Sequence, residues 1–450
     1  MGQRIQCRFR MYLVYSLLLG LALVVALPWW LFQMARNYKY RSGLGERFGR
    51  VPERLKRSQA GALVIWVHAV SVGEVLAISG LIERLRESFS RHRIVISTTT
   101  ASGQKLARDR FGEKNVFYFP MDLGFAIRPY LRVLRPRLVI VAETEFWPNF
   151  LKMAKTSGAR VAVVNSRVSD RSFPRYRRFK SLLERVLGKV DLFLAQTEVD
   201  RGRLVEIGAA AHKVQVSGNL KFDVKPVSET ALARTLKAEL GRSNAGPVIV
   251  AGSTVDGEEP IVLEAFRSVL ARFPHAVLIL APRHPERWSL VAELLDGSDL
   301  KHWRRSKWQP GKEKLAGGVF LLDSIGELAS LYGLAQLAFV GGSLVPRGGH
   351  NILEPAQHGV AILVGPHTEN FREIVSLFVN AGAVDVVEPE DLGKEFLHLL
   401  FQEEKRAIMA KHALETAQAN TGATERTAAA LEQMMGVKPS AQKAAKGRRR

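Results

Sequence analysis

The sequence predicts an α/β protein of two Rossmann-like domains behind an N-terminal membrane anchor helix. Short apolar, β-branched runs alternate with helix-length segments, and this series occurs twice along the chain. An uncharged stretch of 22 residues near the N-terminus predicts the anchor. The expected boundaries are an anchor over residues 1–35, a first domain over 36–225, a linker over 226–247, a second domain over 248–436 and a basic disordered tail over 437–450.

Composition and charge exclude several classes of protein. The 450 residues are 47% hydrophobic and 24% charged, which is globular composition and excludes a wholly disordered chain. Cys7 is the single cysteine, so internal disulfides and cysteine-based zinc sites are excluded. Nearly all of the net charge of +22 lies in three segments, with +9 in residues 1–57, +6 in 167–189 and +6 in 438–450. This distribution argues against a nucleic-acid coat protein and predicts an anionic partner near those segments.

The apolar run over residues 11–32 is long enough to cross a bilayer and has arginines on both sides. Trp29 and Trp30 near its end suit the headgroup region. A cleaved signal peptide is the alternative, but its apolar region would be only about 7–15 residues long and would end in small residues. Positive charge is denser after the run than before it, which predicts a single-pass anchor with both domains on the cytoplasmic side.

Ten runs have the length and composition of strands in a buried parallel sheet. Five lie in the first half of the chain, at residues 62–68, 94–99, 138–142, 161–165 and 192–195. Five lie in the second half, at residues 248–251, 277–281, 319–322, 337–340 and 361–364. Helix-length segments separate the runs, so each series predicts one doubly wound domain. The sequence SNAGP at residues 243–247 predicts a hinge between them.

Acidic residues follow two predicted strands of the first domain, where ligands bind in doubly wound sheets. Glu74 follows the first strand through a short turn with a glycine, which makes it a candidate general base. The alternative is an acid that the helix dipole favours in a first turn. Glu143 and Glu145 follow another strand, and such a pair can divide acid and base roles. Pro148 behind them is equally typical of ordinary helix capping.

The second domain carries features of a nucleotide site. Residues 251–254 (AGST) end one strand and Arg283 follows the next, so backbone N–H groups and a guanidinium are available to a phosphate. The alternative is that Arg283, between two prolines, lies in a surface turn. A Gly-rich stretch then leads into a helix at Glu354, whose carboxylate suits two ribose hydroxyls. His350 and His358 have no third ligand in view, so no metal site is expected.

Taken together, these residues resemble the 3-deoxy-D-manno-octulosonic acid (Kdo) transferase family, inner-membrane enzymes that add Kdo to lipid A precursors. The likeness runs from about residue 41 to residue 371 and rests on many blocks in the same order. The blocks are WVHAVSVGEV (66–75), STTTASG (97–103), ETEFWPN (143–149), NSRVSDRS (165–172), SGNLKFD (217–223), AGSTVDGEE (251–259), APRHPER (281–287), IGEL (325–328) and GGHNILEPAQHG (348–359). Residues 301–316 do not fit the pattern and are expected to form a local insertion.

The resemblance implies a GT-B glycosyltransferase, in which two Rossmann-like domains face a cleft. The first domain would bind the acceptor and the second the donor, CMP-Kdo. It further implies inverting transfer of Kdo to a lipid A precursor (lipid IVA) in lipopolysaccharide biosynthesis, at the inner membrane. No cofactor and no metal are expected, since CMP is already a good leaving group, and no nucleic-acid partner is expected.

The resemblance also assigns roles to residues of this sequence. Glu74 matches the family's general base, and Glu143 and Lys221 match positions that stabilise the reacting centre, with Glu145 as a neighbour. The segments that contact CMP match Pro282, Arg283, Ile325, Gly326, Glu327, Asn351, Ile352, Leu353 and Glu354. Further donor contacts are expected at Ser253 and Gly342.

Two other functions fit parts of the sequence, and one basic surface is a candidate membrane contact. Another membrane-associated GT-B transferase that uses a UDP-sugar would share the fold and the ribose-binding carboxylate. A membrane-anchored nucleic-acid-binding protein would fit the pI of about 10.3, although no nucleic-acid module is evident. The basic stretch with Arg175, Arg177 and Arg178 is expected to meet the acceptor and the anionic leaflet, with a solvated helix face as the alternative.

Overall fold

The chain folds into two α/β units. The computed structural model describes residues 2–36, 43–56, 63–224 and 228–437. The first unit takes in Met1–Val224 and Thr421–Arg450, and the second takes in Lys225–Asn420. Among the described residues each unit has one seven-stranded sheet, and the strand pairs within it are parallel. The predicted pair of Rossmann-like units is therefore confirmed.

The sheet of the first unit has the strand order β3-β2-β1-β4-β5-β6-β7. Its strands are β1 (Leu63–His68), β2 (His92–Thr98), β3 (Val116–Tyr118), β4 (Pro136–Ala142), β5 (Arg160–Ser166), β6 (Leu192–Ala195) and β7 (Val214–Val216). Its helices up to the second unit are α1 (Gly2–Arg36), α2 (Leu44–Arg47), α3 (Glu53–Lys56), α4 (Val72–Ser88), α5 (Ala101–Phe111), α6 (Gly124–Leu134), α7 (Pro148–Thr156), α8 (Phe173–Arg178), α9 (Lys180–Leu187) and α10 (Glu198–Glu206).

The sheet of the second unit has the order β10-β11-β9-β8-β12-β13-β14. Its strands are β8 (Val248–Thr254), β9 (Val277–Pro282), β10 (His302–Arg304), β11 (Gly318–Leu321), β12 (Leu337–Val340), β13 (Ala361–Val364) and β14 (Val384–Val386). Its helices are α11 (Ala231–Arg242), α12 (Glu259–Leu270), α13 (Trp288–Asp296), α14 (Leu328–Leu331), α15 (Leu353–Gln357), α16 (Arg372–Asn380), α17 (Leu392–Phe401) and α18 (Glu403–Ala419). The last helix of the chain, α19 (Ala423–Met435), returns to the first unit.

Apolar side chains cover both faces of each sheet, which is why its strands are continuous hydrophobic runs. In β1, Val64 and Trp66 belong to the core on one face, whereas Ile65 and Val67 belong to the core on the other. Helices therefore have to cover both sides of the sheet. The loops at its carboxyl edge are left to carry polar residues.

The ten predicted strands are confirmed, with ends that differ by a few residues. Four further strands were not predicted, namely β3, β7, β10 and β14. Each is three residues long and lies at an edge of its sheet. A strand this short has too few residues to show a hydrophobic pattern. Residues 301–316, expected to be a local insertion, contain β10, and their place as an insertion stays a prediction.

The structure places the domain boundaries differently from the prediction. The predicted linker over residues 226–247 contains α11, which buries Leu232 and Leu236 in the core of the second unit. The predicted second domain over 248–436 ends too late, because α19 buries Ala428 and Leu431 in the core of the first unit. Both differences arise because amphipathic helices pack against a neighbouring sheet, whatever their place in the chain.

Helix α1 contacts α7 of the same unit through residues in its first half. The side-chain amide of Asn149 donates to the Ser16 hydroxyl at 3.0 Å, and the Lys152 ammonium lies 4.2 Å from the centre of the Tyr12 ring. Within the described part of the chain, no helix combines the length and the apolarity that a bilayer crossing requires. The predicted anchor is thus unconfirmed and stays a prediction. The predicted disordered tail lies outside the described residues, apart from Val437.

Candidate active site

Glu74 lies in the first turn of α4, directly after β1. Ser71 caps this helix, since its hydroxyl accepts from the Glu74 N–H at 3.5 Å. The Glu74 carboxylate reaches back and accepts from the Val70 N–H at 2.8 Å and from the Ser71 hydroxyl at 3.0 Å. This arrangement resembles a capping box, except that the backbone N–H bound by the carboxylate belongs to Val70, the residue before the cap. Both interpretations of Glu74 from the sequence therefore have a basis in the geometry. The hydrogen bonds hold the carboxylate in one orientation.

Glu74 is more buried than an ordinary helix-capping carboxylate. The residue is only 8% exposed. Burial raises the pKa of Glu74 to about 7, the negative charge of Glu143 adds to the shift, and the bonds from Val70 and Ser71 oppose it. A helix-capping carboxylate in water would stay fully ionised at neutral pH. Glu74 instead exchanges its proton close to neutrality, which is what a general base requires.

Glu143 and Lys221 form an ion pair beside Glu74. Glu143 directly follows β4 in the left-handed region, with φ of 55°, and its N–H donates to the Val164 carbonyl at 2.9 Å. Its carboxylate lies 3.2 Å from the Lys221 ammonium, which is carried by the 3₁₀ turn Leu220–Asp223. Both side chains are about a quarter exposed, so they can be reached from solvent. The structure thus brings the three predicted catalytic residues together.

Two further groups lie at or just after the ends of the same strands, β1 and β4. Burial raises the pKa of Glu145, with the charge of Glu143 as the next cause. His68, at the end of β1, is fully buried and stacks on Phe119 with ring centres 3.9 Å apart. Burial lowers the pKa of His68 to about 3, so its imidazole is neutral and adds no positive charge. A histidine at a strand end was visible in the sequence, but its burial was not.

In the second unit, hydrogen bonds join the loops after β8 and β9. The Arg283 N–H donates to the Thr254 carbonyl at 2.8 Å. Arg287 bridges the same two loops, at 2.5 Å from Asp256 and 2.9 Å from Glu259. Arg283 itself is exposed at the end of β9, with its guanidinium available to a ligand. Pro282, which precedes it, is buried as the last residue of that strand.

A buried carboxylate organises the Gly-rich loop after β12. Glu258 is fully buried, and its two oxygens accept four backbone N–H groups, from Val255, Gly342, Ser343 and Leu344, at 2.7 to 2.9 Å. The Gly342 N–H is therefore occupied by Glu258, and the expected donor contact at Gly342 stays a prediction. The sequence analysis missed Glu258 because three of these four partners lie more than 80 residues away. Ser253 lies near the end of β8 with a φ of 59°, and its donor contact also stays a prediction.

Glu354 and its neighbours form an electrostatic cluster. The Asn351 amide donates to Glu354 at 3.3 Å; burial raises the pKa of Glu354, while Asn351 and the charge of Arg283 oppose the shift. Burial lowers the pKa of His350 to about 4, with Arg283 as the next cause. The group therefore combines one guanidinium, one carboxylate and a neutral imidazole. Ile352 and Leu353, also predicted to contact CMP, have buried side chains and can offer only their backbone to a ligand.

The segment Ile325 to Glu327 is supported from the edge strand β10. The Arg305 guanidinium, one residue past that strand, lies 3.3 Å from both oxygens of Glu327. Arg304 pairs with Asp323 at 3.2 Å. Ile325 is 79% exposed and Gly326 has φ of 84°, so this loop presents an apolar side chain to solvent. Arg305 is a residue that the sequence analysis assigned to an insertion.

The basic stretch forms α8 and the start of α9. Arg175, Arg177 and Arg178 lie on α8, where no residue is buried. Arg177 pairs with Glu206 at 3.6 Å, and Phe179 and Leu182 are about half exposed. Within the described ranges, no group of three His, Cys, Asp or Glu side chains is arranged as metal ligands.

The comparisons with known proteins decide the family. A family model described as 3-deoxy-D-manno-octulosonic-acid transferase (kdotransferase) matches residues 42–224. A 3-deoxy-D-manno-octulosonic acid transferase of Haemophilus influenzae is 34% identical over 394 residues, covering 87% of this chain and 91% of that protein. The chain belongs to the Kdo transferase family. A Bordetella pertussis protein of the same description is 33% identical over 94% of this chain and 99% of its own length.

Membership of the Kdo transferase family makes the protein a glycosyltransferase and confirms the resemblance. A solved UDP-N-acetylglucosamine 2-epimerase, 14% identical, matches 84% of this chain and 97% of its own with a TM-score of 0.58. That likeness shows the fold alone. The alternative of a nucleic-acid-binding protein is set aside. The roles of individual residues in Kdo transfer remain predictions.

Proposed function

We propose that this protein transfers Kdo from CMP-Kdo to a lipid A precursor with inversion, and that Glu74 is the general base. The observation that carries the proposal is the Glu74 carboxylate, which is buried, held by two hydrogen bonds and has a pKa of about 7. Family membership supports Kdo as the transferred sugar. The acceptor, the stereochemistry and the base are the parts that experiments have to test.

The first unit would activate the acceptor. Glu74 takes the proton from an acceptor hydroxyl while its oxygen attacks the anomeric carbon of Kdo. The bond from that carbon to the CMP phosphate oxygen breaks on the opposite face, and its electron pair leaves with CMP. Positive charge develops on the sugar while this bond breaks, and the Glu143 carboxylate suits its stabilisation. Lys221, 3.2 Å from Glu143, limits the charge repulsion between Glu143 and Glu74.

The second unit would bind the donor. Arg283 is an exposed guanidinium suited to the phosphate of CMP. Glu354, oriented by Asn351, suits the ribose hydroxyls. Ile325 offers an exposed apolar surface for the cytosine ring, on a loop that Arg305 and Glu327 hold in place. Because Arg283 can stabilise the leaving phosphate, we propose that the reaction needs no metal, so activity should persist in EDTA.

We further propose that the enzyme works at the cytoplasmic face of the inner membrane. On α8 and α9, arginines alternate with the exposed Phe179 and Leu182, a pattern suited to an anionic leaflet. Charge reversal at Arg175, Arg177 and Arg178 should weaken co-sedimentation of the protein with anionic vesicles. Reversal of Arg108, Arg110 and Lys105, exposed or half-exposed on α5, is the matched control. Equal vesicle binding by both variants would contradict the proposal that this surface meets the membrane.

The apolar run of α1 supports membrane anchoring, since Leu17, Leu21 and Val25 are at least 60% exposed. A spanning orientation requires release of the contacts that Tyr12 and Ser16 make with the first unit. Cys7, the single cysteine, tests this directly. We expect an impermeant maleimide to label it from outside the inner membrane. Labelling only after permeabilisation would mean that α1 does not cross the bilayer.

The direct test of the activity is mass spectrometry of the lipid product. Purified protein is incubated with tetraacylated lipid A precursor and CMP-Kdo, or with UDP-sugars in parallel. Addition of Kdo only from CMP-Kdo is expected, and the number of additions shows how many residues are transferred. Transfer from a UDP-sugar alone, or no transfer by folded protein, would contradict the proposed donor and acceptor.

A further inference from the structure

The turn that carries Lys221 is fastened on both sides. On one side the buried side chain of Asn165, at the end of β5, accepts from the Leu220 N–H at 2.9 Å. Within the turn, Asn219 accepts from the Lys221 N–H at 3.0 Å. These bonds fix the beginning of the turn, so the position of the Lys221 ammonium depends on what holds the other end.

Asp223 holds that other end against the last helix of the chain. Its carboxylate accepts from the Gly422 N–H at 2.6 Å and from the Thr424 N–H. N–H groups at the beginning of a helix, such as these of α19, have no acceptor within the helix. The helix has 13 residues, so the partial positive charge at its N-terminus also favours a carboxylate there. Arg426 of the same helix donates to the Ser217 carbonyl at 2.8 Å, just before the turn.

Helix α19 is itself fixed to α4, the helix that begins beside Glu74. Arg84 of α4 lies 3.0 Å from Glu425 and 3.1 Å from Glu432. Leu431 of α19 belongs to the same buried apolar cluster as Val75, the residue after Glu74. Asp223 therefore links the Lys221 turn, through α19, to the helix that carries the candidate base.

We propose that Asp223 is a positioning residue, which holds Lys221 on Glu143 by fixing the turn to α19 and so sets the charge that Glu74 faces. The inference rests on the proposed function, because it takes Glu74 as the base. It goes beyond that function because Asp223 is given no contact with substrate. Its effect passes through the ion pair, which is 3.2 Å long.

The charged groups around Glu74 set the direction of the effect. The acids that raise its pKa are Glu143 and Glu145, which follow β4, and Lys221 on the turn opposes Glu143. From β1, His68 is neutral, and on α19 Glu425 and Glu432 are paired with Arg84. If Lys221 moves away, Glu143 is no longer compensated. The pKa of Glu74 then rises, because a second negative charge disfavours its ionised form.

The test is the pH dependence of kcat/KM with CMP-Kdo as donor, measured on the full-length protein. Asp223→Ala should move the acidic limb to higher pH by roughly half to one unit, the scale of one nearby charge. Lys221→Ala should move it in the same direction. In the double variant the limb should lie where Lys221→Ala alone puts it, because both changes act through one contact.

Controls separate this effect from a loss of structure. Asp109→Ala removes an exposed carboxylate of α5 in the same unit and should leave the limb unchanged. Asp223→Asn keeps the shape and should give a smaller shift in the same direction, which covers the case that Asp223→Ala does not fold. An Asp223 variant that lowers the rate equally at every pH, or a double variant with additive shifts, would overturn the proposal. If Glu74→Gln stays fully active, the proposed function fails, whatever Asp223 does.

Discussion

The Lys221 ammonium lies 3.2 Å from the Glu143 carboxylate, and the charge of that carboxylate in turn raises the pKa of Glu74. Three residues from three separate segments are thereby coupled electrostatically. The Glu74 carboxylate is buried and has a pKa of about 7, whereas the Glu143 carboxylate is about a quarter exposed and pairs with Lys221. Environments that differ in this way let two acids take different roles in one reaction.

Removing the charge of Glu143 should make Glu74 a stronger acid. In the wild type, kcat/KM is expected to fall as the pH drops through about 7, because Glu74 becomes protonated. Glu143→Gln removes a neighbouring negative charge and so lowers the pKa of Glu74. The acidic limb of the kcat/KM profile should therefore move to lower pH, even though the maximal rate falls. This shift is opposite in sign to the one expected for Lys221→Ala. A limb that stays in place in Glu143→Gln would show that another group controls the profile.

Burying Glu74 should cost stability above its ordinary pKa. In the folded protein the pKa of Glu74 is about 7 against an ordinary value of 4.5, so the folded state binds more protons in this range and stability falls as the pH rises through it. The largest loss is about 3 kcal/mol, at 1.36 kcal/mol per pKa unit. In thermal unfolding, the stability of Glu74→Gln should increase relative to that of the wild type as the pH rises from 5 to 8. Glu83→Gln, exposed on α4, should show no such trend.

The fold could be predicted from the sequence to the extent that its signals are local. The central strands carry apolar runs that only a sheet covered on both faces can bury, so they were predicted. The edge strand β10 has three residues, and one of them is the half-buried Arg304, so nothing in its pattern indicates a strand. Helix α19 was assigned to the wrong unit because the sequence does not show which sheet an amphipathic helix will cover.

The candidate site likewise contains residues that the sequence could indicate and residues that it could not. Glu74 and Glu143 could be singled out because they follow strands, but only the resemblance favoured catalysis over capping. Glu258 and Asp223 could not be found, because each accepts N–H groups from segments more than 80 residues away. Hydrogen bonds of that kind leave no periodic signal in the chain. They become visible only when the loops that they join are seen together.

Loss of Glu258 should disorganise the Gly-rich loop after β12. In Glu258→Ala four buried N–H groups lose their acceptor, and each unsatisfied group costs about 1–3 kcal/mol. We expect a clear drop in Tm and a KM for CMP-Kdo that rises at least tenfold. Glu264→Gln changes an exposed carboxylate of α12 and is the control. A Glu258→Ala variant with wild-type Tm and KM would mean that the loop keeps its shape without the carboxylate.

Arg305 should contribute to donor binding through Glu327. Arg305→Ala removes a guanidinium that lies 3.3 Å from both oxygens of Glu327, so the Ile325 loop loses its support. We expect the KM for CMP-Kdo to rise several-fold while kcat changes little, in steady-state kinetics. Lys307→Ala, exposed two residues further on, should behave like the wild type. Equal effects of the two substitutions would indicate a general loss of positive charge instead.

The most direct test of the central claim is the activity of Glu74→Gln, in which the side chain keeps its size and loses its proton acceptor. We predict that Kdo transfer to the lipid A precursor falls by about 10²–10⁴-fold, the usual contribution of a general base, while calorimetry shows unchanged binding of CMP. Glu83→Gln should transfer Kdo at the wild-type rate. Transfer by Glu74→Gln within a few-fold of the wild type would contradict the account.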